Sequence, residues 1–253
     1  MKLKSLVWSF FHLFGIDAFH RKVGYHYVPD YHGKSAYKQK NIKHIPVFGE
    51  TAAKVIADGC TLLYYDRLFT IFQILSLWHD RVQPGSGLNT IEVGVYKGGG
   101  SYFIVSVAER LGVPIQHFCF DTFEGHAAED INKGIETTHV ASGFSDTSFD
   151  AVKSYLSSFD NVRFFKGRVQ DTVNSIPDVP LHFVHLDMDI YEPTIFALRF
   201  FEKKLVSGSV ILLDDYGFDT CPGVEMAIND FLRSNTDFFG IALLSGQYIL
   251  VKL

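Results

Sequence analysis

Apolar residues in the first third of the chain recur at the spacing of an α-helix. Between residues 51 and 80 no proline interrupts the pattern, and Leu68 and Ile71 fall on one helical face. Gly59 divides this stretch. The pattern predicts one or two helices broken near Gly59, and a loop-rich arm at residues 24–50 ahead of them.

The rest of the chain alternates short strand-like runs with helical patterns. The predicted helices cover about residues 99–111, 148–159, 193–205 and 224–233, and the predicted strands are NTIEVGV, IQHFCFD, VRFFKG, LHFVHLD, SVILLDD, GIALLS and YILVKL. This alternation predicts an α/β fold with a mostly parallel sheet covered by helices on both faces. Only GQ separates the last two runs. Because two residues cannot hold a crossover helix, this pair must be antiparallel.

The chain divides into two predicted parts. Residues 1–85 form an N-terminal helical and loop extension, which acts as a cap or an oligomer contact, and residues 86–253 form the main domain. The first segment, MKLKSLVWSFFHLFGI, is too short to span a bilayer and lacks a small-x-small cleavage site. A helix packed on the protein itself or in a homodimer is the simpler interpretation. A helix lying on a membrane surface is the alternative.

Composition excludes several classes of function. The chain has 253 residues, of which 47% are apolar, so a sizeable core is expected. The formal net charge is −5 and no long basic run is present, which argues against a nucleic-acid partner. Three cysteines lie far apart without a CxxC pair, so neither a disulfide framework nor a zinc site is predicted. A reducing, cytoplasmic setting is the simplest interpretation.

The stretch IEVGVYKGGGSYF is a strand that runs through glycines into a helix. Gly94 and Gly98, with the two glycines that follow, allow the backbone to approach a ligand closely. The spacing is neither the GxGxxG fingerprint nor a Walker A pattern, which disfavours a nicotinamide dehydrogenase. Glu92 would repel a pyrophosphate but suits the amino group of S-adenosylmethionine. The alternative is that Glu92 only caps the next helix.

Two more strand ends suit an adenosine ligand. Asp121 ends the second strand, where an acid can accept hydrogen bonds from both ribose hydroxyls. That role is shared by nicotinamide and S-adenosylmethionine sites. In FKGRVQDTV, the residues from Gly167 to Gln170 follow the third strand and are expected to flank the adenine.

Acidic residues end two further strands. LDMD carries Asp187 and Asp189, and LLDDYG carries Asp214 and Asp215. The carboxyl ends of parallel strands meet at one edge of a sheet, so Asp187, Asp214 and Asp215 should converge. Converging carboxylates repel each other unless a cation joins them, and hard oxygen ligands select Mg²⁺, Mn²⁺ or Ca²⁺. The alternative is that each aspartate serves a turn or a helix cap.

The long connection from Thr122 to Ser148 contains His126 and His139. Loops of this length are commonly functional. Either histidine is a candidate substrate ligand or base, although a loop histidine is more often simply solvated.

The ordered set IEVGVYKGGGS, FDTFEG, HLDMDIYEPT and LDDYG resembles the macrocin O-methyltransferase family over roughly residues 60–250. The resemblance implies a class I methyltransferase fold with a seven-stranded, Rossmann-like sheet and a reversed last strand. It also implies an enzyme that uses S-adenosylmethionine and Mg²⁺ or Mn²⁺ to methylate a sugar or glycoside hydroxyl. Residues 86–253 would then be the S-adenosylmethionine-binding domain.

The resemblance also implies roles for single residues. It places Glu92, Gly94, Ser101 and Asp121 around the cofactor, and Asp187, Asp214 and Asp215 on the metal. The related catechol O-methyltransferases carry a lysine just past the first metal aspartate, where this chain has Ile190. The catalytic base is therefore sought among Asp187, Asp189 and His139.

Two other classes of function remain as alternatives. A glycosyltransferase can carry an apolar strand that ends in DxD and binds Mn²⁺ with a sugar nucleotide, and HLDMD fits that description. The glycine turn behind Glu92 and the second acidic pair argue against it. A non-catalytic domain that only binds a partner is the other alternative, and the complete acidic set argues against that.

Overall fold

The computed structural model describes residues 42–79, 81 and 86–253. This part of the chain contains one seven-stranded sheet, made of β1 (Leu88–Val93), β2 (Ile115–Asp121), β3 (Val162–Lys166), β4 (Leu181–Leu186), β5 (Leu205–Leu213), β6 (Phe238–Ala242) and β7 (Tyr248–Lys252). The strand order is β3-β2-β1-β4-β5-β7-β6. Strands β1 to β5 pair in parallel, and β7 runs antiparallel to both β5 and β6. The predicted fold class, including the reversed last strand, is confirmed.

Seven α-helices occur among the described residues: α1 (Pro46–Ala57), α2 (Tyr65–His79), α3 (Gly99–Leu111), α4 (Phe149–Tyr155), α5 (Val169–Thr172), α6 (Tyr191–Phe201) and α7 (Pro222–Ser234). Short 3₁₀ turns lie at Ile42–His44, Ala128–Asp130 and Val173–Ser175. The break between α1 and α2 lies at the predicted place, because Gly59 takes a left-handed backbone conformation with φ +67°.

Some predicted boundaries are wrong. Helix α6 starts before Pro193, because the first turn of a helix has free N–H groups and tolerates a proline there. It ends at Phe201, and Leu205 already belongs to β5. Five residues, 243–247, connect β6 to β7 rather than two. The predicted loop-rich arm at residues 24–50 is also wrong from Pro46 onward, where α1 begins.

Helices cover both faces of the sheet, and each face has its own apolar cluster. Phe201 of α6 and Phe231 of α7 are fully buried on one face. Phe48 of α1, Leu68 of α2 and Phe103 of α3 are fully buried on the other. Helices α1 and α2 thus enter the same core as α3, although they lie within the predicted extension. The boundary at residue 85 stays a prediction, because residues 1–41 lie outside the described part.

The strand ends that carry polar residues meet at one edge of the sheet. Backbone hydrogen bonds continue one residue past the strands, from Gly94 N to Phe120 O (3.0 Å), from Asp187 N to Val93 O (2.9 Å) and from Asp214 N to Leu186 O (3.0 Å). These bonds hold the ends of β1, β4 and β5 side by side, so the residues that follow them are neighbours.

Across residues 42–79, 81 and 86–253, no helix has the length and apolarity required to cross a membrane. The segment MKLKSLVWSFFHLFGI lies outside the described residues, so its predicted packing, dimer or membrane role stays a prediction.

Candidate active site

Glu92 lies at the end of β1, with its carboxylate buried under the start of α3. Ser101 Oγ donates a hydrogen bond to one carboxylate oxygen, and His185 Nδ1 lies 2.9 Å from the other. Gly100 leaves room for this group, because a Cβ at that position would collide with Glu92 Oε1. Ser101 therefore holds Glu92 from behind and does not line the neighbouring cavity.

His185 is a residue that the sequence did not single out. Its ring is fully buried, with Nδ1 on Glu92 and Nε2 3.9 Å from Asp214 Oδ1. Burial alone would lower the pKa of His185, but the Asp214 and Glu92 carboxylates outweigh it and raise the pKa to about 10. The histidine is therefore a buried cation at neutral pH, and it connects the predicted cofactor acid to a predicted metal ligand.

Asp121 faces the same cavity from the end of β2. Its carboxylate accepts backbone hydrogen bonds from Tyr96 N (2.8 Å) and Phe123 N (2.5 Å). Gly98, in contrast, does not line the cavity. It is the N-cap of α3 with φ +89°, and a side chain there would press on Val152 of α4.

Gly167, which follows β3, and Gln170 on α5 also line this cavity. Gly167 has φ +135° and donates its N–H to the Asp121 carbonyl at 2.9 Å. Gln170 Nε2 donates to Asp130 Oδ1 at 2.8 Å, and Arg168 makes a two-pronged ion pair with the same carboxylate. Gln170 Oε1 is buried without a hydrogen-bond partner among the described residues. A buried acceptor of this kind suits a donor on a ligand.

One cavity of about 230 Å³ joins most of the predicted site. Predicted residues on its wall are Glu92, Gly94, Asp121, Gly167, Gln170, Asp187, Asp189 and Asp215. The structure thus brings the two predicted groups, cofactor and metal, to the walls of a single space. Asp214 lies just behind this wall and is fully buried, and His139 lines an adjoining hollow with Asp189, Asp215 and Cys221.

Asp187, Asp214 and Asp215 converge as the sheet topology predicts. One carboxylate oxygen from each lies within 4.8 Å of the others. Burial and the Asp214 charge raise the pKa of Asp187 well above its usual value, and burial with the Asp187 and Asp189 charges does the same for Asp215. Three oxygen donors that repel one another in this way fit a hard divalent cation such as Mg²⁺ or Mn²⁺.

Asp214 differs from its two neighbours because it has partners of opposite charge. The Arg67 guanidinium on α2 contacts Asp214 Oδ2, and Gln247 Nε2 donates to Oδ1 at 2.8 Å. Burial alone would raise the pKa of Asp214, but His185 and Arg67 lower it below its usual value. No motif points to Arg67, which lies 147 residues from Asp214 in the chain.

Asp189 lies between Asp215 and the long loop, and one of its carboxylate oxygens is within 4.8 Å of an Asp215 oxygen. Its φ of +63° is unusual for a residue with a side chain. Its Oδ2 lies 3.6 Å from His126 Nε2, and its Oδ1 lies 3.6 Å from Cys221 Sγ. Cys221 Sγ in turn lies 3.4 Å from His139 Nε2. Burial, with a smaller effect of His139, lowers the pKa of His126 to about 4, so its ring is neutral. The two loop histidines are therefore packed against Asp189 rather than solvated.

The order of the sheet, with β7 inserted antiparallel beside β5, and the ligand-sized cavity at its carboxyl edge define the class I methyltransferase fold. The family model of the macrocin O-methyltransferases (TylF) matches residues 69–237, more than half of the chain. The chain therefore belongs to the macrocin O-methyltransferase family.

Two relatives are known enzymes of Streptomyces. The chain is 29% identical over 154 residues to the 8-demethyl-8-(2,3-dimethoxy-alpha-L-rhamnosyl)-tetracenomycin-C 4'-O-methyltransferase of Streptomyces olivaceus, and the match covers 56% of each protein. It is 25% identical over 184 residues to the demethyldecarbamoylnovobiocin O-methyltransferase of Streptomyces niveus, covering 69% of this chain and 68% of that protein. The similarity thus spans little more than half the length of the first relative.

Solved structures agree on the fold. The O-methyltransferase NovP superimposes with a TM-score of 0.65 at 23% identity, over 76% of this chain and 82% of NovP. The calicheamicin methyltransferase CalS11 superimposes with a TM-score of 0.59 at 15% identity, over 87% of this chain and 97% of that chain. Both superpositions support the fold, and the family match over residues 69–237 lends no support to the glycosyltransferase alternative.

We expect Gly100→Ala to weaken binding of S-adenosylhomocysteine by roughly tenfold or more, which corresponds to about 1.4 kcal/mol. The new methyl group would push the Glu92 carboxylate out of the pocket that Ser101 and His185 define. Isothermal titration calorimetry measures the change. Gly112→Ala is the control, because Gly112 has φ +70° but open space around it. Gly112→Ala should lose stability but keep its affinity for S-adenosylhomocysteine. An equal loss of affinity in Gly100→Ala and Gly112→Ala would contradict displacement of Glu92 as the cause.

Proposed function

We propose that this protein transfers a methyl group from S-adenosylmethionine to a hydroxyl group of a sugar or glycoside, with a divalent ion held by Asp187, Asp214 and Asp215. The main support is the single cavity that Glu92, Asp121, Asp187 and Asp215 line together. Membership of the macrocin O-methyltransferase family supports the cofactor and the class of reaction.

The chain's own groups fit the cofactor at both ends. Glu92 is the negative group that suits the methionine ammonium, and the Asp121 carboxylate keeps acceptor capacity for the ribose hydroxyls beside its two backbone partners. Gln170 Oε1, buried without a partner, suits the exocyclic amino group of adenine. Gly94 keeps the turn open because a Cβ there would strike the Asp187 backbone.

The aspartates at the carboxyl edge of the sheet fit the proposed divalent ion. Asp187 and Asp215 would hold Mg²⁺ or Mn²⁺ from the cavity side, while His185, Gln247 and Arg67 keep Asp214 ionised and oriented. A bound divalent ion supplies Lewis acidity, which lowers the pKa of an acceptor hydroxyl and orients it.

Asp189 is the proposed proton acceptor. It lies on the walls of both the cofactor cavity and the adjoining hollow that His139 and Phe218 line, which is where an acceptor sugar would lie. Burial raises the pKa of Asp189, so its carboxylate is more basic than an exposed one. Asp187, the other candidate base, is a proposed ligand of the ion, and His139 is proposed to contact the acceptor sugar.

The two named relatives, whose names carry a rhamnosyl group and novobiocin, suggest that the acceptor is a sugar on a natural product.

The direct test is mass spectrometry of candidate glycosides after incubation with S-adenosylmethionine. We expect a gain of one methylene unit that requires Mg²⁺ and is abolished by EDTA. S-adenosylhomocysteine should raise the melting temperature, because a ligand that binds only the folded state stabilises it. Full activity in EDTA would remove the ion from the mechanism.

Sugar nucleotides serve as the negative control for binding. Stabilisation by UDP-sugars but not by S-adenosylhomocysteine would contradict the proposal.

Asp189→Asn should lose turnover while retaining cofactor affinity. An unchanged pH–rate profile in that variant would exclude Asp189 as the proton acceptor.

A further inference from the structure

A buried network of polar side chains leads from β1 and β2 to Glu92. Thr90 and His117 are partners across these two strands, and Thr90 Oγ1 lies 2.8 Å from His117 Nδ1. His117 Nε2 lies 3.0 Å from Ser101 Oγ, the hydroxyl that contacts Glu92. Cys119 Sγ lies 3.1 Å from the same hydroxyl.

The members of this network other than Glu92 do not face the cofactor. Thr90, Ser101, His117 and Cys119 are fully buried, and none of them lines the cavity. Glu92 is buried as well, but its side chain reaches the cavity wall. Any effect of the network on a ligand must therefore pass through Glu92.

The Ser101 hydroxyl has one hydrogen and three polar neighbours. A carboxylate only accepts hydrogen bonds, so the Glu92 carboxylate takes this hydrogen. The lone pairs of Ser101 Oγ are then left for His117 and Cys119, which must both act as donors. Burial raises the pKa of the Cys119 thiol well above its usual value, so the sulfur keeps the hydrogen that it donates.

The same count fixes the tautomer of His117. Burial lowers the pKa of His117 to about 4, so the ring is neutral and carries a single N–H. Because Nε2 must donate to Ser101, the hydrogen is on Nε2, and Nδ1 accepts from the Thr90 hydroxyl. The hydrogens of Thr90, His117 and Ser101 thus all point along the network toward Glu92.

The opposite tautomer would leave a buried group unsatisfied. With the hydrogen on Nδ1, the bare Nε2 of His117 and the carboxylate of Glu92 would compete for the one hydrogen of Ser101. The group that lost would face a lone pair in a site that water does not reach, which costs more than an ordinary hydrogen bond contributes.

We propose that His117 is a positioning residue for the cofactor, which as the Nε2–H tautomer directs the Ser101 hydroxyl onto Glu92 and so holds the carboxylate for the methionine ammonium. The last step, the contact of Glu92 with the cofactor, rests on the function proposed above. His185 Nδ1, 2.9 Å away, holds the other oxygen of the same carboxylate, so the group is fixed at both oxygens.

Two neutral substitutions of His117 separate this role from simple packing. The amide nitrogen of glutamine can occupy the place of Nε2, whereas that of asparagine reaches only the place of Nδ1. Loss of one buried hydrogen bond should weaken binding of S-adenosylhomocysteine to His117→Asn by roughly tenfold, and His117→Gln should stay within about threefold of the wild type. Isothermal titration calorimetry measures both affinities.

5′-Methylthioadenosine is the second ligand, because it has the adenosine part without the amino acid part. Its affinity should be the same in His117→Asn, His117→Gln and the wild type, since it has no ammonium for Glu92. His182→Asn is the matched control at the start of β4, where His182 Nδ1 accepts from Asn89 N at 3.0 Å. His182→Asn should bind both ligands as the wild type does.

Equal losses for the two ligands in His117→Asn, or a loss in His117→Gln as large as in His117→Asn, would overturn the positioning role. Long-range ¹H–¹⁵N NMR spectra of the wild type report the tautomer directly, whether or not a variant folds. We expect the ring hydrogen of His117 on Nε2, and a hydrogen on Nδ1 would overturn the proposal. A wild type that bound neither ligand would instead overturn the proposed function, and the tautomer would still decide whether His117 directs Ser101 onto Glu92.

Discussion

Asp215→Asn is expected to abolish methyl transfer and, at the same time, to stabilise the metal-free protein. Loss of one charged ligand should cost about 4 kcal/mol of transition-state stabilisation, or roughly a thousandfold in turnover. The gain in stability has a separate cause. Asp215 is buried beside Asp187, Asp189 and Asp214, and among the described residues its carboxylate accepts one hydrogen bond, from Asp189 N at 3.3 Å. Asparagine has nearly the same shape as aspartate but no charge, so the variant loses the repulsion between this carboxylate and its acidic neighbours.

The pH dependence follows from the same contacts. The pKa of Asp215 in the folded protein is raised above that in the unfolded chain by burial and by the Asp187 and Asp189 charges. Such a group stabilises the fold at low pH, and that stability is lost as the pH rises through the folded pKa. We therefore expect the melting temperature of the metal-free wild type to fall as the pH rises above the ordinary carboxyl pKa of about 4, and that of Asp215→Asn to fall less.

Calorimetry with and without Mg²⁺ measures both effects. Mg²⁺ should raise the melting temperature of the wild type more at pH 8 than at pH 5, and should have little effect on Asp215→Asn. Asp178→Asn is the control, because Asp178 is fully exposed and pairs only with Lys204 at the surface. An Asp215→Asn protein with Mg²⁺-dependent turnover within tenfold of the wild type would contradict the ligand assignment.

The sequence was sufficient for the features that follow from chain direction. Strands that alternate with helices must be parallel, and parallel strands bring their carboxyl ends to one edge, so Asp187, Asp214 and Asp215 could be placed together without coordinates. The final hairpin was predictable for a similar reason, since its connection is too short for a crossover. The position of its second strand, β7, between β5 and β6 was not predictable from loop length.

The sequence was insufficient for residues whose role depends on side-chain packing. Arg67 reaches Asp214 from α2, and Gln247 reaches it from the β6–β7 connection, but neither lies in a motif. His185 resembles any other residue of a buried strand until its two carboxylate neighbours are known. Residue type alone indicated the loop histidines, His126 and His139, as candidate functional residues. Their approach to Asp189 depends on the fold of the loop around Gly143, which no periodic pattern describes.

Glu92→Gln should produce the largest loss of cofactor affinity among single substitutions at this site. The amide has no charge for the methionine ammonium, and its NH₂ group would face either Ser101 Oγ or the buried His185 ring, where a carboxylate now accepts. A hydrogen bond to a charged group contributes about 1.5–3 kcal/mol, so S-adenosylhomocysteine should bind roughly 10- to 100-fold more weakly. Glu109→Gln on the exposed face of α3 is the matched control.

Because His185 lies between Glu92 and Asp214, the Glu92→Gln substitution should also affect the proposed metal ligands. With Glu92 neutral, the buried imidazolium retains Asp214, 3.9 Å from its Nε2, and the charge of Asp187 as its anions. Glu92, the proposed cofactor acid, and Asp214, a proposed metal ligand, therefore share one cation, and the effects of substitutions at this cation and at Glu92 should not be additive. Calorimetric titrations of Glu92→Gln, His185→Gln and the double variant, each with and without Mg²⁺, measure this coupling. If the losses of binding free energy in the two single variants sum to that of the double variant, and Mg²⁺ changes neither, then His185 does not couple Glu92 to Asp214.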